Sequence, residues 1–381
     1  MEILQNLITK DLKSNYLIFL LIIFYVFVYF IGETYGYKVG SDSQRYIRYS
    51  NNLNELFTNL KAFCSSSYVL IIFLIKEIGI SINSIYFIQF FVHSIAACFI
   101  YLYFHYKNFD TIISILISAS YLFYPPLLFW DFYLLTDSLN VHLSIISLFL
   151  LVFSKKKYTP LVLILIIFSS LIRAHSIFLL FTCIIYIFYF TFRFHEKKYF
   201  YLILTILLLK FIFILNYLSI WIINYISISY VSGKFIWGND TFGINGINLK
   251  VEIINLFDLL KVMISNPIYT IEYMFKKFFL YVFGVRPGYS FLHNLFLYIT
   301  ILLMLIPTIY EISYRIYKKS WNDYFFNFLL IYVCFNFFAS LVSFLDPDAR
   351  FVLPLYPFMI ICSGYFINRI YVYYKKNFIN F

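Results

Sequence analysis

The sequence predicts an all-α polytopic membrane protein, a single domain over residues 1–381 with about ten transmembrane helices. Three observations predict it. Hydrophobic residues make up 62% of the chain and charged residues 12%, roughly half the charged share of a soluble domain. Mean hydropathy is +0.83. The basic residues fall largely in short segments between apolar runs. So few charges cannot cover a water-facing surface, and a soluble globular domain is excluded. The aromatic share of 24%, beside abundant Ile, Asn and Lys, reads as AT-rich codon usage and carries little functional weight.

The first apolar run, Asn15 to Gly32, follows Lys10 and Lys13 and has no small-residue cleavage site, so it predicts a retained helix rather than a signal peptide. Further runs of spanning or nearly spanning length are Ile82–Phe104, Thr111–Leu128, Leu134–Phe153, Pro160–Ile172 and Ser176–Phe192. Tyr199–Ile220, Phe291–Tyr310, Tyr324–Leu345 and Phe351–Ile370 complete the set, with Tyr16–Ile31 as the first. Several are short for a bilayer of roughly 30 Å, which predicts tilt or a helix that stops at a cavity.

The loops orient them. With the N-terminus inside, the inside loops hold Lys107, then Lys155, Lys156 and Lys157, then Arg193, Lys197 and Lys198. Arg315, Lys318 and Lys319 follow, and Arg369, Lys375 and Lys376 close the series. The short outside turns around Trp130 and His175 are nearly free of lysine, as the positive-inside rule requires. The expectation is a multi-pass plasma (inner) membrane protein of bacterial type, both termini cytoplasmic. The net charge of +11 is accounted for by topology and contact with membrane lipids, so no nucleic-acid partner is expected.

Two extracytoplasmic segments are long, at about 33–81 and 221–290. In the first, Tyr46, Tyr49, Leu53, Leu56 and Leu60 form one apolar stripe opposite Gln44, Arg45, Arg48, Asn51 and Asn52. In the second, Leu249, Ile253, Leu256, Leu260 and Ile264 lie opposite Lys250, Glu252, Asp258 and Lys261. Such helices lie in the membrane interface. The cysteines Cys64, Cys98, Cys183, Cys334 and Cys362 are scattered without metal-ligand spacing, so no metal and no cofactor are expected.

Ionisable residues are expensive in lipid, so those at the outer helix ends are informative. Four clusters stand out. In Gly40-Ser41-Asp42-Ser43-Gln44-Arg45-Tyr46, Ser41 or Asp42 can cap the helix, or Asp42 can act as a general base. In Trp130-Asp131-Phe132-Tyr133-Leu134-Leu135-Thr136-Asp137-Ser138, Thr136 or Asp137 can be a cap, or Asp137 can be functional, with Asn140 one turn beyond. Arg173-Ala174-His175-Ser176 carries an arginine against the positive-inside trend, either snorkelling or binding an anion. In Asp346-Pro347-Asp348-Ala349-Arg350-Phe351, Arg350 can pair with a neighbouring acid or hold a phosphate. Two acids and two arginines on one face suit a lipid-linked, phosphate-bearing substrate.

The same clusters carry a family resemblance. Ser41-Asp42-Ser43 with Tyr46 and Asn52-Leu53, then Tyr124-Pro125-Pro126 leading to Leu134-Leu135-Thr136-Asp137-Ser138-Leu139, are similar to elements of the GT-C superfamily of polyprenyl-phosphate-sugar glycosyltransferases. The nearest branch is that of the protein mannosyltransferases and the lipid A aminoarabinose transferase. Leu171-Ile172-Arg173 resembles the family's Leu-Arg turn, and Arg350-Phe351-Val352-Leu353-Pro354-Leu355-Tyr356-Pro357 its Arg-aromatic-x-x-Pro-x-x-Pro lead-in to a late helix. Asn266-Pro267 with Tyr269, then Lys276-Lys277, resembles the run before its later spans. The matches come in order over nearly the whole chain.

The resemblance implies a GT-C-like fold and inverting sugar transfer from a polyprenyl-phosphate sugar donor to a glycan, lipid or protein acceptor. Asp42 and Asp137 are then the catalytic candidates, and Arg173, Arg350, His175 and Asp346 the phosphate- and donor-binding ones. Two departures bear on the acceptor. Serines flank Asp42 where many relatives carry a second acid, and there is no counterpart of the large C-terminal outer domain of some branches. Two other readings stay open: an O-antigen or exopolysaccharide polymerase, which Gly40-Ser41-Asp42 and Tyr46 partly match, and a lipid or glycan transporter.

Overall fold

The computed structural model describes residues 15–155, 158–173, 176–194, 205, 227–236, 239–243, 246, 256–283, 290–342 and 352–378. These are almost entirely helical. The exception is a two-stranded antiparallel hairpin, Lys234–Ile236 with Asn239–Gly243. The expected span Tyr199–Ile220 lies outside the described residues.

Helix α1 (Asn15–Tyr35) carries Glu33 in its last turn and no other charged residue, and leaves Phe19, Ile22, Val26 and Phe30 exposed. With α6 (Ser84–Tyr106) and the body of α15 (Phe291–Lys318), it is one of three described helices long and apolar enough to cross a bilayer. A fourth crossing is available as a bent pair. Helix α7 (Thr111–Leu122) and α8 (Pro125–Asp131) meet at 49°, where the sequence predicts one span over Thr111–Leu128. Proline disfavours helix at the preceding residue, and Pro125-Pro126 removes two donors, so α7 ends and α8 starts with proline in its first turn.

Helices α9 (Asp137–Phe153), α10 (Thr159–Ser170), α11 (Ile177–Phe194) and α16 (Tyr324–Val342) contain the shorter apolar stretches. Helix α17 (Leu355–Phe378) is the last described helix. The most enclosed is α9, where even Ser138, Asn140, His142, Ser144 and Ser147 are buried. Small residues bring α6 and α7 together, with Ser118 donating to the carbonyl of Ala97 at 2.9 Å.

Both expected interfacial stripes need correction. The first is not one helix: α2 (Ser41–Asn51) stops at Asn52, and α3 (Glu55–Thr58) and α4 (Leu60–Cys64) follow as short pieces. Its apolar side does pack inward, with Tyr49, Leu56, Ala62 and Val69 forming a satellite core and Gln44, Arg48, Asn51 and Asn52 exposed. The same segment holds α5 (Ser66–Glu77), whose Tyr68 and Ile72 join the main core, so it is more than a surface layer. In the second, Leu249 and Ile253 lie outside the described residues, and α12 (Ser227–Ser232) precedes the hairpin. On α13 (Leu256–Ser265), before α14 (Pro267–Phe283), Leu260 and Ile264 are exposed while Val262 and Met263 are buried.

The bundle has two polar ends. At one lie Lys107, Arg315 and Arg369, which are more than topology markers. Lys107 pairs with Asp323 at 3.1 Å, and buried Glu311 receives Arg315 at 2.7 Å and Arg369 at 3.0 Å. A cavity of about 440 Å³ opens there between Lys107, Phe153, Lys155 and Asp323. At the other end, the stretch after α1 meets the stretch before α9.

Candidate functional site

At that second end Lys38 forms a parallel bridge with Tyr133: its N–H donates to Phe132 at 2.9 Å, and its carbonyl accepts from Leu134 at 3.1 Å. The Tyr86 hydroxyl donates to the same carbonyl at 3.3 Å. This tertiary pairing is why α9 begins at Asp137 rather than at the predicted Leu134. The Phe132 carbonyl and the Leu134 N–H are satisfied by Lys38 of the first loop instead of by a helix.

Asp42 sits in the first turn of α2, where a carboxylate is favoured by the helix dipole. Neither Ser41 nor Asp42 is the N-cap. That position is Gly40, whose N–H donates to Ser43 Oγ at 2.9 Å. Asp42 pairs with Arg45 at 3.2 Å, and its side chain is 28% exposed. One turn on, the Tyr46 hydroxyl lies 3.4 Å from Thr136 Oγ1, joining α2 to the residue before Asp137. Thr136 occupies the N-cap of α9 but makes no side-chain cap bond.

Asp137, 3% exposed, forms an ion pair with Arg173, 17% exposed. On the same face Asn140 accepts a hydrogen bond from Ser176 Oγ at 2.6 Å. Both polar residues at the start of α9 therefore engage the turn between α10 and α11, as their spacing on one face predicts. The first loop reaches this turn too, through Ser67 N–H to the carbonyl of Leu171 at 3.1 Å. Three of the four sequence clusters thus meet at one end of the bundle. Arg350, Asp346 and His175 lie outside the described residues.

Chemically, the arrangement offers a half-exposed carboxylate and a guanidinium held in place by a buried acid. The planar fork of a guanidinium suits carboxylate and phosphate alike.

Sequence reasoning missed one constellation beneath this end. Asp131, the last residue of α8, is buried with His93 of α6 and His142 of α9. His93 Nδ1 is 2.6 Å from Asp131 Oδ2, and His142 Nε2 is 3.2 Å from Oδ1. Gln89 supports them, donating to the carbonyls of Asp131 and Tyr133, each at 3.0 Å, while accepting from the Tyr68 hydroxyl at 3.1 Å. The available signal was two histidines inside apolar runs. Attention to helix ends, and to cysteines as metal ligands, passed over them.

No family model, curated protein or solved structure matches this chain.

Proposed function

We propose that this protein is a membrane glycosyltransferase of the GT-C kind, moving a sugar from a polyprenyl-phosphate donor to an acceptor hydroxyl on the extracytoplasmic face. The observation that carries this reading is the meeting of the Asp42 loop, residues 132–136 and the Asp137–Arg173 pair at one end of the bundle. The opposite end holds Lys107, Lys155 and Arg315. With that end cytoplasmic, as the positive-inside rule directs, the first faces outward. About ten spans, with residues 199–220 among them, keep both termini inside.

In this mechanism Asp42 takes the proton of the acceptor hydroxyl, and the oxygen attacks the anomeric carbon. The bond from that carbon to the phosphate oxygen breaks, its electron pair leaves with the polyprenyl phosphate, and the configuration inverts. Arg173, oriented by Asp137, and Arg350 stabilise the charge gathering on the leaving group, with His175 and Asp346 completing the donor site.

The test is consumption of a panel of polyprenyl-phosphate sugars by membranes containing the protein. Wild type should consume one of them, and Asp42→Asn should abolish transfer while leaving insertion intact. Substantial activity in Asp42→Asn removes Asp42 as base. Consumption of a lipid-linked oligosaccharide instead favours the polymerase.

A further inference from the structure

We infer that His93, Asp131 and His142 form a buried binding site for a divalent transition-metal ion of the zinc type. One ligand atom from each lies within 4.8 Å of the others, and all three side chains are fully buried. Two imidazoles and a carboxylate are a donor set that zinc accepts, with bonds of about 2.0–2.2 Å.

The surroundings are those of a ligand shell. Metal-binding histidines tie their other ring nitrogen to a fixed partner, which sets the ring's orientation. Here both partners belong to Tyr121: its carbonyl lies 3.3 Å from His93 Nε2, and its hydroxyl 2.5 Å from His142 Nδ1. The two rings stack at 4.1 Å with their inward nitrogens on one carboxylate.

Spacing sharpens the inference: His93 Nδ1 lies 2.6 Å from Asp131 Oδ2 and His142 Nε2 3.2 Å from Asp131 Oδ1, so both rings converge on one carboxylate. An ion at zinc distances sets ligand separations of about 3.2–3.5 Å, which the His142 arm already has at 3.2 Å. The His93 arm reaches it by a shift of less than about 1 Å.

The ion would pin the end of α8 to α6 and α9. That fixes residues 132–136, which bridge to Lys38 and open α9 at Asp137. Enclosed as it is, it serves as a clamp. The inference is independent of the transferase reading, since metal content is measured without substrate.

The experiment uses the full chain, purified in detergent through a tag free of histidine. Metal is measured by mass spectrometry, and chelator-stripped protein is refilled with Co²⁺ and examined for the visible bands of a tetrahedral ion. The expected result is about one zinc per chain and a tetrahedral cobalt spectrum. Both should be lost in His142→Gln and Asp131→Asn, while Tyr121→Phe should retain the ion with about 10–100-fold weaker affinity. Wild type that holds no metal and shows no cobalt bands overturns the proposal and leaves a hydrogen-bonded His93–Asp131–His142 cluster in its place. Unchanged uptake by both variants also overturns it. If the variants do not fold, the wild-type cobalt spectrum decides.

Discussion

Arg173 and Asp137 show what a single residue contributes here. The pair is nearly enclosed, and removing one partner of a buried pair typically costs on the order of 3–5 kcal/mol, because the other charge is stranded. Asp137→Asn should therefore lower the unfolding midpoint in detergent as well as transfer. Arg173→Lys keeps the charge and loses the fork, so transfer should fall far more than stability. Equal losses of both would make Arg173 a structural residue only. At this scale much of the site was legible: Asp137, Asn140 and Arg173 were identifiable as polar groups in a chain that has few. Which group caps α2 was not, since Gly40, Ser41 and Asp42 all suit the position and only the backbone path selects Gly40.

Among elements, apolar runs located the helices well, and long-range contacts set their ends. Leu134 reads as helix, yet its N–H is held by Lys38, almost a hundred residues away, a pairing no local rule can foresee. The break at Asn51-Asn52 was hidden because the apolar stripe continues across it. His93 was hidden because a lone histidine in an apolar run acquires meaning only with its partners. Tight helix packing gives a prediction at this level. A Cβ at Gly364 of α17 would lie 2.5 Å from Ile117 Cδ1 and 2.8 Å from Phe104 Cζ, so the glycine lets α17 approach α6 and α7. Gly364→Ala should destabilise by about 1–3 kcal/mol, measured by thermal unfolding in detergent. Ile117→Val should recover part of the loss; no recovery would place the clash elsewhere.

For the whole molecule, the ion network at the Lys107 end fastens chain segments far apart in sequence. Asp323, in the turn between α15 and α16, pairs with Lys107 and accepts from the hydroxyls of Tyr103 and Tyr365 at 2.7 and 2.5 Å. Burial pushes its carboxyl up, but Lys107, the two hydroxyls and Arg315 outweigh it and hold the carboxyl below its ordinary value. A depressed folded-state value stabilises above the unfolded one, about 3.9, and that contribution is lost as pH falls through the folded value. Stability should thus hold at neutral pH and drop on the acid side of about pH 4. Asp323→Asn should be less stable at neutral pH and should lose that part of the acid limb. An unchanged acid limb would remove Asp323 as its source.

The joint between the first loop and the stretch before α9 also dictates a schedule of birth. Tyr46 meets Thr136 across 90 residues, so α2 can settle early against the nearby α5 but not against the stretch before α9. That second mooring arrives only after α6, α7 and α8 have left the ribosome. A nascent chain halted before that point would carry the Asp42 loop moored on one side only, and this end of the bundle becomes complete in one late step.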